Sequence, residues 1–184
     1  YKGVVGTIAP NLLERNFIAQ RPNQKWVTDV TEFKVAQEKV YLSPVMDLYN
    51  AEIVAYEVAS RPCLGLVTNM LGKAFKRLGN KPKLVLHSDQ GWHYQHSQYR
   101  HKLAEQGVKQ SMSRKGNCLD NAAMESFFGT LKSEFFYLKR FESVEELKAG
   151  LDEYIHYYNH DRIKLKLNGM SPVKYRTHAA AAAS

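Results

Sequence analysis

The chain has 184 residues, 44% of them hydrophobic and 24% charged, and a formal net charge of +8. This length suits one domain of ordinary globular composition. No apolar run approaches the roughly 18 residues of a membrane span, and the start does not read as a signal peptide, which leaves out a membrane partner. The positive charge favours a polyanion through counterion release, although solvated basic faces give the same balance. Cys63 and Cys118 make neither a disulfide framework nor a zinc site, so a reducing cytoplasm is expected. The first residue is Tyr1, not Met, which points to a fragment of a longer protein.

In chain order, residues 1–21, with Gly3, Gly6 and Pro10, read as a flexible lead-in with a short helical turn near 11–17. Three β-rich segments follow at about 25–35, 39–49 and 52–60, joined by hairpin-length loops. Pro44 in the second predicts a bulge or interrupted pairing. Leu64, Val67, Leu71, Ala74, Phe75 and Leu78 describe a helix face, ended by Gly79-Asn80 and Pro82. Leu84-Val85-Leu86 reads as a buried strand leading to Asp89. A helix is expected over 95–106, stopped by Gly107, then a short strand over 108–112 and a loop over 113–119.

Met124, Phe127, Phe128, Leu131, Phe135 and Leu138 form one apolar helical stripe, with Asn121, Glu125, Gly129 and Lys132 on another face. Ser143-Val144-Glu145-Glu146 is a capping box opening a helix that turns Val144, Leu147, Leu151, Tyr154, Ile155 and Tyr158 inward. Residues 161–176 read as a polar tail. The alanine-rich 177–184 is low-complexity and is taken as disordered. Strands first, then βαβαβ, make an α/β layered fold.

Three carboxylates stand out. Asp29 lies in a β-rich run, Asp89 at a strand end and Glu125 on a helix. Hard divalent cations want oxygen ligands, and Mg²⁺ binds through few carboxylates plus water and phosphate. Two such ions about 3.5–4 Å apart suit phosphoryl displacement. Asp47 is a rival ligand in the second strand, with Asp120 and Glu134 in reserve for the third position.

Asp29, Asp89 and Glu125, with 35 residues between the last two, resemble the DD(35)E signature of retroviral integrases and insertion-sequence transposases. The wording around them sharpens this: Trp26-Val27-Thr28-Asp29-Val30-Thr31, His87-Ser88-Asp89-Gln90-Gly91, and Asp120-Asn121-Ala122 to Glu125-Ser126-Phe127-Phe128. Tyr158-Asn159 to Arg162 and Gly169-Met170-Ser171-Pro172 extend it. Together these blocks resemble the integrase-like catalytic core of second-reading-frame transposases, over about 22–176. The resemblance implies a ribonuclease-H-like fold with a mixed five-stranded sheet flanked by helices. It implies that residues 1–21 are a linker from a missing amino-terminal DNA-binding region. It also implies Asp29, Asp89 and Glu125 as catalytic residues and ligands of two Mg²⁺ ions, with Mn²⁺ as a substitute.

The activity implied is cleavage and strand transfer at insertion-sequence ends, with terminal repeats and target DNA as partners, self-association on DNA, and a bacterial cytoplasmic, nucleoid-associated location. A hydrolytic nuclease of the same fold and a non-catalytic DNA-binding regulatory fragment are the alternatives.

Arg114, Lys115, Lys132, Asn117 and Asn121 are candidate DNA contacts. Lys132 also suits a solubilising helix lysine. Asn117, Asp120 and Asn121 also suit loop shaping, with Asp120 a good N-cap. His87 orients a ligand or ends its strand. Trp92 and Tyr94 stack bases or pack under the loop. His156 and His160 are four apart but lack a metalloprotease glutamate, which favours a surface pair over zinc. Lys164 stands where many members of that family carry histidine, which puts in doubt any supporting role at that position.

Overall fold

The computed structural model describes residues 6–79 and 83–184. Gly3, the helix stop at Asn80 and Pro82, and the Cys118 thiol lie outside that description. Cys63 is a free, exposed thiol.

One sheet forms the middle layer. Its strands are β1 (Lys25–Thr28), β2 (Thr31–Val35), β3 (Glu38–Asp47), β4 (Glu52–Ala59), β5 (Val85–Ser88) and β6 (Lys109–Met112). The β1–β3, β2–β3 and β3–β4 pairs are antiparallel, whereas β1–β5 and β5–β6 are parallel. The expected five strands become six because the run over 25–35 is broken. Thr28 pairs with Val45 and Thr31 with Leu42, so β1 and β2 share one register along one edge of β3. The gap, Asp29-Val30, lies opposite Ser43-Pro44, where proline has no amide hydrogen to give. The Thr28 hydroxyl donates instead to the Pro44 carbonyl at 2.8 Å. On its other side β3 carries a bulge between Val45 and Met46, the irregularity expected near Pro44.

The helices are α1 (Leu64–Phe75), α2 (Trp92–Gln95), α3 (Ser97–Glu105), α4 (Ala122–Glu134), α5 (Val144–His160) and α6 (Pro172–Ala182). Alternation along the strands divides two cores. Val27, Phe33, Val35, Leu42 and Met46 face α4 and α5. Trp26, Val45 and Leu86 face α1, Tyr94 and Leu103. Helices on both faces of a mixed sheet make the three-layer α/β fold expected.

Gly107 stops α3 with φ at +68°, as glycine allows. The α4 stripe is buried through Phe135, but Leu138 is 73% exposed. The helix ends at Glu134 and a 3₁₀ turn, Phe136–Leu138, swings that leucine outward. Ser143 caps α5 by accepting the Glu146 amide at 3.1 Å, while the Glu146 carboxylate reaches Glu142 rather than the cap residue.

The alanine-rich end, taken as disordered from composition, continues α6 to Ala182. Alanine is the best helix former, and the helix starts from a proline whose carbonyl accepts Asn50 Nδ2 at 2.8 Å. Arg176 on α6 pairs with Glu52 of β4. Tyr158 and Asn159 dock α5 on the same strand region. Tyr158 OH donates to Ala51 O, and Asn159 exchanges two 2.9 Å bonds with the Ile53 backbone.

The stretch over 6–20 carries turns rather than a helix, with Glu14 and Arg15 at positive φ. It runs along β6, where the Met112 amide donates to Pro10 O and the Leu12 amide to Ser111 Oγ.

Candidate active site

The site is built at the carboxyl ends of two parallel strands. Val27 pairs with His87 in the β1–β5 ladder, so the same register sets Asp29 abreast of Asp89 just past the strand ends. Neighbouring strands lie roughly 4.8 Å apart. Asp29 falls in the break between β1 and β2, and among the described residues its Oδ1 accepts the next amide, Val30 N, at 2.7 Å. Asp89 Oδ1 accepts Gly91 N at 2.7 Å. A Cβ at Gly91 would stand 2.9 Å from that oxygen, so a side chain there would push the Asp89 carboxylate aside.

Glu125 lies in the first turn of α4 with an exposed side chain. Asp29 feels the other two acids. Burial first, then the charges of Asp89 and Glu125, push the Asp29 carboxyl up to about 6, against the Val30 hydrogen bond. Among the described residues, no three His, Cys, Asp or Glu side chains close into a metal cage. The donor set itself, carboxylate oxygen throughout, fits a hard divalent cation.

The rival carboxylates are committed elsewhere. Asp47 is buried beside the start of β1 and accepts the Asn23 and Tyr49 amides. Glu134 holds Arg162 and the Tyr154 hydroxyl. Asp120 does not cap α4. Its side chain accepts the Arg114 amide and guanidinium and Arg15 Nε. Asn121 stands at the N-cap position, but its side chain caps nothing and Nδ2 donates to Thr28 O at 3.2 Å.

His87 is buried between the strands and the loop. A carbonyl only accepts, so Nε2 carries the hydrogen that meets Asp120 O at 2.8 Å. Nδ1 then accepts from Ser111 Oγ at 2.8 Å. Burial lowers the His87 pKa, which keeps this neutral form.

The candidate DNA contacts divide. Lys115 is exposed and Lys132 lies half-buried with Nζ 5.5 Å from the Phe33 ring centroid. Arg114 is engaged by Asp120, Asn117 accepts the Asp120 amide through its carbonyl, and Asn121 is buried. Tyr94 is buried against Tyr99, whereas Trp92 is 56% exposed. His156 and His160 stack on the surface, and Lys164 lies over the Tyr158 ring. Sequence reasoning missed His93, half-buried and close enough to Asp89 to feel its charge, and Arg15, which reaches Asp120. Arg15 acts across the fold, 105 residues from Asp120, and no spacing marks it, whereas His93 stands only four residues after Asp89, a short spacing that was there to be read.

The Integrase core domain family matches residues 19–118 and again 125–179. The chain belongs to this family. The first match contains Asp29 and Asp89, and the second begins at Glu125. Among the family's named proteins, the chain is 58% identical over 176 residues to a putative transposase of insertion sequence IS150 from Escherichia coli, covering 96% of this chain and 62% of that protein. It is 58% identical to an uncharacterised transposase-like protein of Haemophilus influenzae, covering 97% of this chain and 82% of that one.

The fold is also that of retroviral integrases. The HTLV-2 integrase catalytic core solved with magnesium superposes with a TM-score of 0.70 at 16% identity, over 86% of this chain and 99% of that one. A simian T-cell lymphotropic virus intasome chain gives 0.68 at 18% identity, over 86% of this chain and 53% of that one. Among the described residues, no helix is long and apolar enough to cross a membrane.

Proposed function

We propose that this integrase-type core is the catalytic part of an insertion-sequence transposase, cutting DNA at element ends and joining the freed 3′-hydroxyl to target DNA. The observation that carries the reading is the parallel register that sets Asp29 beside Asp89, with Glu125 near enough to raise the Asp29 pKa. Such repulsion is relieved by cations. Asp29, Asp89 and Glu125 would hold Mg²⁺, with Mn²⁺ substituting. When bound, two such ions would supply activation of the attacking oxygen and neutralisation of the leaving one.

The chain's own residues divide the remaining work. Asp29 and Asp89 are fixed by strand ends, and Glu125 by a helix. Lys132 and Lys115 suit the phosphate backbone, whereas Arg114 acts mainly on its own loop. This reading locates the protein on DNA in the bacterial cytoplasm, self-associated when two element ends are held together. The named transposase relatives favour it over a purely hydrolytic nuclease or a regulatory fragment.

The deciding experiment incubates the protein with insertion-sequence terminal repeats, target DNA and Mg²⁺, and maps the cuts and joints. Cleavage with joining of a pre-cut end is the expected outcome. Cleavage without joining would favour the nuclease, and binding without either would favour the regulatory fragment.

A further inference from the structure

Glu125 lies on a different element from Asp29 and Asp89, and two hydrogen bonds cross from their strands to the start of its helix. Asn121 Nδ2 donates to the carbonyl of Thr28, the residue before Asp29, at 3.2 Å. His87, two residues before Asp89, donates through Nε2 to the carbonyl of Asp120 at 2.8 Å. The second bond is backed by a relay, because Ser111 Oγ donates to His87 Nδ1 and accepts the Leu12 amide. Asn121 Oδ1 is buried with no hydrogen-bond partner, so the link to Thr28 is the one hydrogen bond its amide makes among the described residues. Consecutive residues ahead of α4 are therefore tied one to each acid-bearing strand. Asp120 is tied a second time, through its carboxylate, to Arg114 and Arg15.

We infer that Asn121 and His87 are positioning residues, a clasp that holds the first turn of α4 so that Glu125 meets Asp29 and Asp89. The inference rests on the proposed reading of the three acids as a divalent-cation site. It assigns Asn121 to the site's internal geometry rather than to DNA.

A double-mutant cycle read by Mn²⁺ titration of the free protein, without DNA or turnover, tests it. In the wild-type background Glu125→Gln is expected to weaken Mn²⁺ binding about tenfold. In the Asn121→Ala background the same change is expected to cost less than about twofold, because the glutamate no longer reaches the ion. Equal losses in both backgrounds overturn the clasp and leave the carboxylate reading standing. No loss in the wild-type background overturns both.

Asn121 is buried, so a second pair of backgrounds guards against a folding defect. The amide nitrogen of glutamine lies about as far along the side chain as His87 Nε2, and that of asparagine does not. His87→Gln is expected to keep the Glu125 contribution and His87→Asn to lose it. The same contribution in both backgrounds overturns the role of His87, whatever either substitution does to the melting temperature.

Discussion

Asp120 and Asp29 are the same side chain in opposite circumstances. Asp120 is fully buried, yet the Arg114 guanidinium holds its carboxyl well below the usual range, with the Arg114 amide and Arg15 adding to the effect. Asp29 is partly exposed, yet burial and two neighbouring acids push it up to about 6. Burial alone therefore does not separate them. The difference is the charge the chain supplies: guanidinium partners at Asp120, and at Asp29 one backbone amide set against two like charges.

The sharpest way to break this contrast is to remove the unpaired acids. Glu125→Gln and Asp89→Asn should each lower Mg²⁺-dependent DNA cleavage by about three orders of magnitude or more, since a ligand is lost. DNA affinity measured by gel shift should stay within a few-fold. A variant that binds and still cuts at wild-type rate would remove that residue from the site.

Asp120→Ala should cost about 2 kcal/mol of folding stability in urea titrations, because it strips a buried acceptor from charged and backbone donors. The pH dependence has a definite sign. A carboxyl with a lowered folded pKa contributes stability above its ordinary 3.8 and loses it as pH falls through the folded value. The gap between wild type and Asp120→Asn should therefore be constant above about pH 5 and shrink below pH 4. A pH-independent gap would mean that the ion pair contributes nothing.

Asp29→Asn should act the other way. Its folded pKa of about 6 lies above the ordinary 3.8. Ionisation therefore costs stability, a cost absent below 3.8, growing between 3.8 and 6 and level above 6. In metal-free protein the substitution should stabilise by about 1 kcal/mol at pH 7 and by less as pH approaches 4. Thermal melts at the two pH values check this, and destabilisation at pH 7 would contradict it.

The smallest effect separates two basic residues. Lys132→Ala should reduce the salt slope of DNA binding by about one unit. Arg114→Ala should change it less and lower the melting temperature more, since Arg114 serves Asp120. Slopes unchanged from wild type in both variants would place both residues outside the DNA interface.

The layered fold was legible because its signals are local: alternation in β2, the stripe of α4, the stop at Gly107. The three acids were legible because their spacing and wording form a pattern. What Asp120, Asn121 and His87 do was not. Arg15, Thr28 and Ser111, which meet Asp120, Asn121 and His87, lie 24 to 105 residues away, and no periodicity encodes such a pairing; Arg114, the main partner of Asp120, is only six residues away but in a loop without a repeat to read. The break at Asp29 was half legible. Pro44 announced an interruption, but the ladder register decided that it fell at the acid. The ordered alanine end was misjudged because low complexity was weighed above helix propensity.

Asn159 has a consequence beyond docking α5. Among the described residues β4 borders β3 alone, and the outward backbone of such a border strand is a template for another chain. By giving the Ile53 amide an acceptor and its carbonyl a donor, one side-chain amide stands in for a residue of a further strand. The helix thereby ends the sheet at that point. An Asn159→Leu protein would keep most of its packing but expose an open hydrogen-bonding rung, and its hazard would be sheet-to-sheet aggregation at high concentration.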